Sequence, residues 1–323
     1  MARATCTILI CSAGRRVGLL QAFRQASERL SLDLRIVACD LDPDNSAACA
    51  LADVALKVPR CDDPGYVDAV LAAARRFEVS LVVPTIDPEL LPLAHASAEF
   101  EKIGARVHIS DISVIETARD KARTSQVLAA AGVPVPRTFG QDQIAADPTL
   151  LDWPVFAKPS GGSASRGLEV FNRPEDVPAQ FDEPMIFQDC LNGPEYTINM
   201  FVDKAGVLRC VVPHLRMRIR AGEVEKGRTV RRDDLRGIAE GIAKALPGLR
   251  GVACFQVIDD PDRGPKVIEI NARFGGGYPL ADHAGAPFAQ WLLEEVNDLP
   301  QSANDDWRDD VLMLRYDSAV YQG

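Results

Sequence analysis

Four short apolar runs, Thr5–Cys11, Leu34–Cys39, Ser80–Pro84 and Arg106–Ile109, recur through the first third of the chain and restrict its fold more than any other feature. Helix-like sequence separates them: a stretch ending near Leu30, then Tyr66–Phe77 and Pro88–Ile103. Runs this short suit buried strands. Strands alternating with helices across short links predict a parallel α/β sheet with helices on both faces. The turn after the first strand reads Ser12-Ala-Gly-Arg-Arg-Val-Gly18. A dinucleotide fingerprint needs a further glycine there, so the backbone cannot approach a pyrophosphate as closely, and a nicotinamide dehydrogenase is disfavoured. Arg15 and Arg16 stand at a helix N-terminus, where they either hold an anion or lie solvated. Thr85–Glu89, just past a strand end, either lines a cleft or caps the next helix.

The pattern changes after Asp111. Asp120-Lys-Ala-Arg-Thr124 opens a helix to Ala131, and Gly132-Val-Pro-Val-Pro136 ends it, a C-cap glycine followed by prolines. Strands then dominate: Val155–Lys158, Leu168–Phe171, Met185–Gln188, Tyr196–Val202, Leu208–Val212 and Leu215–Arg220. A helix (Asp233–Ala245), a hairpin (Val252–Ile258 with Lys266–Asn271), a helix (Phe288–Val296) and a strand-like segment (Val311–Tyr316) complete the chain. This part reads as α+β with mostly antiparallel pairing.

Charge narrows the function. The net charge is −10 and the pI about 5.0, which argues against a nucleic-acid footprint or an anionic membrane surface. No apolar run reaches the ~18–20 residues of a membrane span, and no secretory signal is apparent. The protein is therefore read as cytoplasmic. The eight cysteines are scattered with no CxxC pair and read as reduced, mostly buried thiols. The four histidines lack ligand spacing, so zinc is not expected.

Four constellations carry chemistry. In Val267-Ile-Glu-Ile-Asn-Ala-Arg-Phe-Gly-Gly-Gly-Tyr278, strand alternation puts Val267, Glu269 and Asn271 on one face and Ile268 and Ile270 on the other. Residues two apart on a strand lie roughly 6.5–7 Å apart, so the acid and the amide can converge on one hard cation. With Gln256 on the partner strand they suit Mg²⁺, which takes a few protein oxygens plus phosphates and water. Arg273 can then neutralise a transferring phosphoryl group. Lys158 ends a strand before the loop Pro-Ser-Gly-Gly-Ser, which either cradles phosphate through its backbone or is a flexible turn. Around Gln188-Asp-Cys-Leu-Asn-Gly-Pro-Glu195, exposed backbone at a strand end can pair with an adenine edge and Glu195 can accept ribose hydroxyls. Arg216, Arg218 and Arg220 alternate on one strand face, as a charged edge or as a reader of a substrate carboxylate or phosphate.

In this order the elements resemble the ATP-grasp superfamily, and more narrowly the carbamoyl-phosphate synthase large subunit and the amino-acid ligase of the pyrrolysine pathway. The motifs that carry the resemblance are Asp120-Lys121, Gly-Val-Pro-Val-Pro, Ala-Lys158-Pro-Ser-Gly-Gly, Gly193-Pro-Glu195-Tyr-Thr, and Gln256 with Val-Ile-Glu269-Ile-Asn271-Ala-Arg273-Phe-Gly-Gly-Gly. It implies an N-terminal parallel-sheet, Rossmann-like pre-ATP-grasp domain (1–111), an ATP-grasp domain (112–305, lid about 121–190) and a strand-like tail (306–323). It implies ATP and Mg²⁺ (or Mn²⁺) as cofactors. Lys121 and Lys158 would contact phosphates, with Gly161, Gly162 and Ser163 closing over them. Gln188, Cys190 and Leu191 would meet adenine, and Glu195 the ribose. Gln256, Glu269 and Asn271 would hold the metal. Arg273 would assist phosphoryl transfer, and Lys226 would reach the γ-phosphate. Arg216, Arg218 and Tyr278 are the substrate candidates, with Tyr278 and Asp282 beside the glycines as an acceptor wall.

The implied activity is a carboxylate–amine (or ammonia) ligase working through an acyl phosphate, on small, amino-acid-like substrates. The alternative is an enzyme that phosphorylates bicarbonate or carbamate, and a lesser one is a non-catalytic nucleotide binder. A homodimer also follows from the resemblance, and neither nucleic acid nor membrane is an expected partner. Ala272 departs from the proline common in the family between Asn and Arg.

Overall fold

The computed structural model describes residues 4–161 and 167–321. Strands β1 (Thr5–Ile10), β2 (Asp33–Asp40), β3 (Val54–Lys57), β4 (Leu81–Val83) and β5 (Arg106–Val107) form a parallel sheet in the order β3-β2-β1-β4-β5. The strand order reverses between β1 and β4, which opens a crevice beyond their C-terminal ends. Helices Val17–Arg29 and Tyr66–Arg76 pack on this sheet. The expected helix over Pro88–Ile103 is broken into Leu90–His95 and Ser97–Glu101. Strand β3 escapes a periodicity reading because its residues alternate between half-buried and exposed at a sheet edge.

Strands β6 (Thr138–Gly140), β7 (Val155–Pro159), β8 (Glu169–Phe171) and β9 (Met185–Asp189) form a second, antiparallel sheet ordered β6-β9-β7-β8. The third sheet holds β10 (Glu195–Val202), β11 (Leu208–Arg220), β12 (Glu223–Thr229), β13 (Gly251–Asp260), β14 (Gly264–Asn271) and β15 (Leu312–Leu314), ordered β14-β13-β10-β11-β12-β15. The sequence suggests two strands where β11 runs unbroken through Pro213. Proline fits because the Pro213 carbonyl accepts from Val230 N–H on the β12 side, and the missing N–H faces that same side, where the β11–β12 ladder is only beginning.

The first and third sheets share one core. Ile8, Phe23 and Val83 are buried in the same cluster as Phe201, Phe274, Tyr278, Phe288 and Trp291. Phe23 meets Phe274 edge-on at 6.1 Å, so the segment after Asn271 is fixed against the first sheet. Gly193, ahead of Glu195, holds φ 144°, and a Cβ there would lie 2.1 Å from the Asp259 carbonyl oxygen. Gly193→Ala is expected to cost about 2–4 kcal/mol in denaturant unfolding, because backbone must move. An unchanged midpoint would contradict this packing.

Candidate active site

A cleft of about 730 Å³ runs between the three sheets. Lys121, Lys158, Gly161, Glu195, Arg216, Gln256, Glu269, Asn271 and Arg273 all line it. Its apolar wall includes Phe156, Ile258 and Ile268.

A β-bulge builds the floor. Gln256 faces Glu269 across the β13–β14 ladder and Cys254 faces Asn271, but the register then slips, so Val257 faces Val267 and Ile268 has no partner. Such a slip reverses which face the strand presents. Val267 therefore joins Ile270 in the core, while Ile268 lines the cleft beside Glu269 and Asn271. The simple alternation expected from the sequence is corrected by this one residue. The freed Ile268 carbonyl accepts a hydrogen bond from Lys158 Nζ at 3.1 Å. Lys158 is buried, and burial lowers its pKa to about 8 against the opposing pull of Glu269. Lys121 donates to the Gly161 carbonyl at 3.1 Å, and burial also lowers its pKa. Asp120 caps the helix Lys121–Ala130 by accepting from Ala122 and Arg123 N–H.

The Glu269 carboxylate has no hydrogen bond or ion pair among the described residues, and neither does the Gln256 side-chain amide; both residues line the cleft. Asn271 Oδ1 accepts from Arg273 Nη2 at 3.0 Å. Arg273 also donates to Asp87 at 2.6 and 3.2 Å. Burial works against the Arg273 charge, yet its neighbours, led by Asp87, raise its pKa further. Asp87 follows β4, so the Thr85–Glu89 segment does both things the sequence allows. Asp87 lines the cleft, while the buried Glu89 caps its own turn through Thr85 and Ile86 N–H.

Glu195 pairs with Arg216, whose other amino group donates to the Gly222 carbonyl at 2.9 Å. Burial raises the Glu195 pKa, and Arg216 partly offsets it. The three arginines of β11 do not share a face. The ladder is irregular on both sides of Arg218, so Arg216 points inward, whereas the exposed Arg218 and Arg220 pair with Glu225 and Ile219 takes the cleft side. Lys226, opposite Arg218, does not line the cleft either.

Other candidates move too. The Gln188 amide is buried and donates to Thr138 Oγ1 at 2.8 Å, away from the cleft. Cys190 and Leu191 follow β9 half-buried and outside the cleft lining, with no hydrogen bond on their backbone groups among the described residues. Gly162 and Ser163 lie outside the described residues. Tyr278 is fully buried; its hydroxyl donates to Asp282 and accepts from Ala289 N–H, so these two brace the core and do not wall the cleft. The glycines before them serve close packing. A Cβ on Gly275, Gly276 or Gly277 would come within 2.9, 2.5 and 2.7 Å of Cys254, Glu223 and His214. The sequence reading missed Asp87 as the partner of Arg273, and Glu223, which lines the cleft beside Arg16.

Comparison with known proteins agrees with this layout. The family described as PylC-like, N-terminal domain matches residues 8–108, and the ATP-grasp domain family matches residues 118–277. A formate-dependent phosphoribosylglycinamide formyltransferase from a Synechococcus strain is 32% identical over 171 residues, 50% of this chain and 39% of that protein. A D-alanine–D-alanine ligase from Alcanivorax borkumensis is 27% identical over 53% of this chain, which spans 58% of that ligase. One from Caulobacter vibrioides is 27% identical over 88% of this chain and 94% of its own length. Among solved structures, the biotin carboxylase domain of Hydrogenobacter thermophilus 2-oxoglutarate carboxylase superposes with a TM-score of 0.74 at 19% identity, covering 95% of this chain and 73% of that one. N5-carboxyaminoimidazole ribonucleotide synthetase from Thermotoga maritima gives 0.66 at 15% identity, covering 93% and 78%. Two matched domains in this order, on a parallel sheet followed by two antiparallel ones, mean that the chain belongs to the ATP-grasp superfamily, with a PylC-like domain ahead of its ATP-grasp domain.

Proposed function

We propose that the chain binds Mg-ATP in this cleft and uses it to phosphorylate a small acid. An oxygen of the acid attacks the γ-phosphorus, ADP leaves, and an acyl phosphate forms. A nitrogen nucleophile then attacks the acyl carbon, losing a proton as phosphate departs. The observation that carries this reading is the convergence of two desolvated lysines, Arg273 and an unpaired carboxylate in one cleft. The oxygens of Gln256, Glu269 and Asn271 fit a magnesium ion, because Glu269 is unpaired and all three donors are hard. When bound, the ion would neutralise phosphate charge. Phe156, Ile258 and Ile268 offer an apolar slot for the base, Glu195 an acceptor for the ribose, and Asp87 holds Arg273 in place.

Two acids fit the chemistry. Bicarbonate or carbamate is supported by the company the fold keeps. That company includes a biotin carboxylase domain solved with bicarbonate, the N5-carboxyaminoimidazole ribonucleotide synthetases and a formate-dependent transferase. An amino-acid-like carboxylate is supported by the D-alanine–D-alanine ligase match along 88% of the chain and by the PylC-like domain. An ADP-release assay separates them. Turnover with bicarbonate alone supports the one-carbon acid, and turnover only with a carboxylate and an amine supports the ligase. No ADP release with either, from enzyme that binds Mg-ATP, would refute both.

Lys158 gives the site a pH signature. Burial lowers its pKa from the usual lysine value to about 8, so its charge is lost as pH rises through that value. ATP affinity is expected to fall above about pH 8, with net proton uptake on binding at pH 8.5 that fades by pH 6.5. Calorimetry in two buffers of different ionisation heat measures it. Flat affinity from pH 6.5 to 9 without proton uptake would remove Lys158 from phosphate contact.

A further inference from the structure

Arg16, Glu223 and Arg315 come from three distant parts of the chain; Arg16 and Glu223 line the cleft, and Arg315 reaches Glu223 from outside its lining. Arg16 Nη1 donates to Glu223 Oε1 at 2.6 Å, and Arg315 Nη1 donates to Glu223 Oε2 at 3.0 Å. The second amino group of Arg315 donates to the Gly276 carbonyl. The carboxylate lies so close to Gly276 that a Cβ there would stand 2.5 Å from its Cδ. Two guanidinium groups, each donating one hydrogen bond to a different oxygen of one carboxylate, form an arrangement that recognises an acidic group. Here the occupant is the protein's own side chain.

Its position matters. Arg16 follows β1 and Asp87 follows β4, the two strands that flank the reversal of strand order, where open α/β sheets take ligands. Glu223 begins β12 directly after a two-residue hairpin tip, Ala221 and Gly222, with φ 49° and 77°. The turn type is one that hairpins favour, but an alanine at positive φ is uncommon, so the residue two before Glu223 sits in a disfavoured conformation. The Arg16 and Glu223 side chains are each 20% exposed, so that pair is open to exchange from the cleft, while Arg315, 30% exposed, backs Glu223 from outside the lining.

We propose that Arg16 and Arg315 bind an acidic group, a carboxylate or a phosphate, on the nitrogen-bearing second substrate, and that Glu223 occupies them until it arrives. This rests on the proposed reaction and adds the class of its acceptor, a nitrogen compound that carries an anionic group.

The test fills the nucleotide site with Mg²⁺ and a non-hydrolysable ATP analogue, then titrates inorganic phosphate and, separately, acetate by calorimetry. Glu223→Gln is expected to bind one of these anions at least about tenfold more tightly than the unsubstituted protein, and that anion identifies the group. The gain is expected to disappear when Arg16→Gln or Arg315→Gln is added. No gain for either anion, or a gain that survives both additions, overturns the proposal. If Glu223→Gln does not fold, Arg16→Gln is read in the ADP-release assay with glutamate against glutamine and phosphoserine against serine. The acidic member is expected to be preferred by at least about tenfold in kcat/KM and that preference to collapse in Arg16→Gln. Equal use of both members by the unsubstituted protein overturns it. Failure of the analogue to bind would refute the ATP reading, while the comparison among Glu223 variants still decides this one.

Discussion

Replacing Glu269 with alanine is expected to lower ADP release by about a thousandfold or more while the chain folds as before. Glu269 is the one carboxylate of the metal-ligand set, and it has no hydrogen bond or ion pair among the described residues. Its removal therefore breaks no side-chain hydrogen bond or ion pair among the described residues. What is lost is negative charge on the cleft floor, opposite Gln256 and near Lys121, Lys158 and Arg273. Circular dichroism and thermal unfolding of the variant should overlay those of the parent. ADP release within tenfold of the parent would remove Glu269 from the metal site.

Lys158→Met is expected to weaken ATP binding at least tenfold, about 1.4 kcal/mol, without lowering thermal stability. The two halves of that result separate function from fold. Lys158 is 6% exposed, and its only described hydrogen bond is to the unpaired carbonyl of a bulge. Burying a cation there costs folding free energy, so an apolar side chain of similar length should leave the unfolding temperature unchanged or raise it. Calorimetry and a melting curve on the same sample read both. Retained ATP affinity would exclude the phosphate role. A large drop in unfolding temperature would mean that Lys158 serves packing.

Much of the layout is legible from patterning. The boundaries of Asp233–Ala245 and Phe288–Val296 match the segments read from the sequence; the first has one apolar face, and the second is apolar along most of its length and buried nearly all round. Lys158, Glu195, Gln256, Glu269, Asn271 and Arg273 are visible as polar residues at strand ends or inside apolar strands, and Lys121 as the first residue after a helix N-cap. The errors about strand faces share a cause. Strand alternation assumes an unbroken ladder, and bulges at Ile268 and around Arg218 shift which side chains face inward. That single assumption puts Val267, Ile268 and Arg218 on the wrong face. Tyr278 was misread for a different reason, since an aromatic residue after three glycines looks exposed until the first sheet closes over it.

The sequence by itself determined the order of the elements, the division into a parallel and then antiparallel architecture, and the residue types available to a nucleotide cleft. Those follow from local periodicity and turn chemistry, which act within a few residues. Only the tertiary structure decided which charges meet. Asp87 reaches Arg273, and Arg16 and Arg315 reach Glu223, across 186, 207 and 92 residues of chain. No local signal encodes such pairs, because they exist only once one core joins the first sheet to the third and holds them within hydrogen-bond distance.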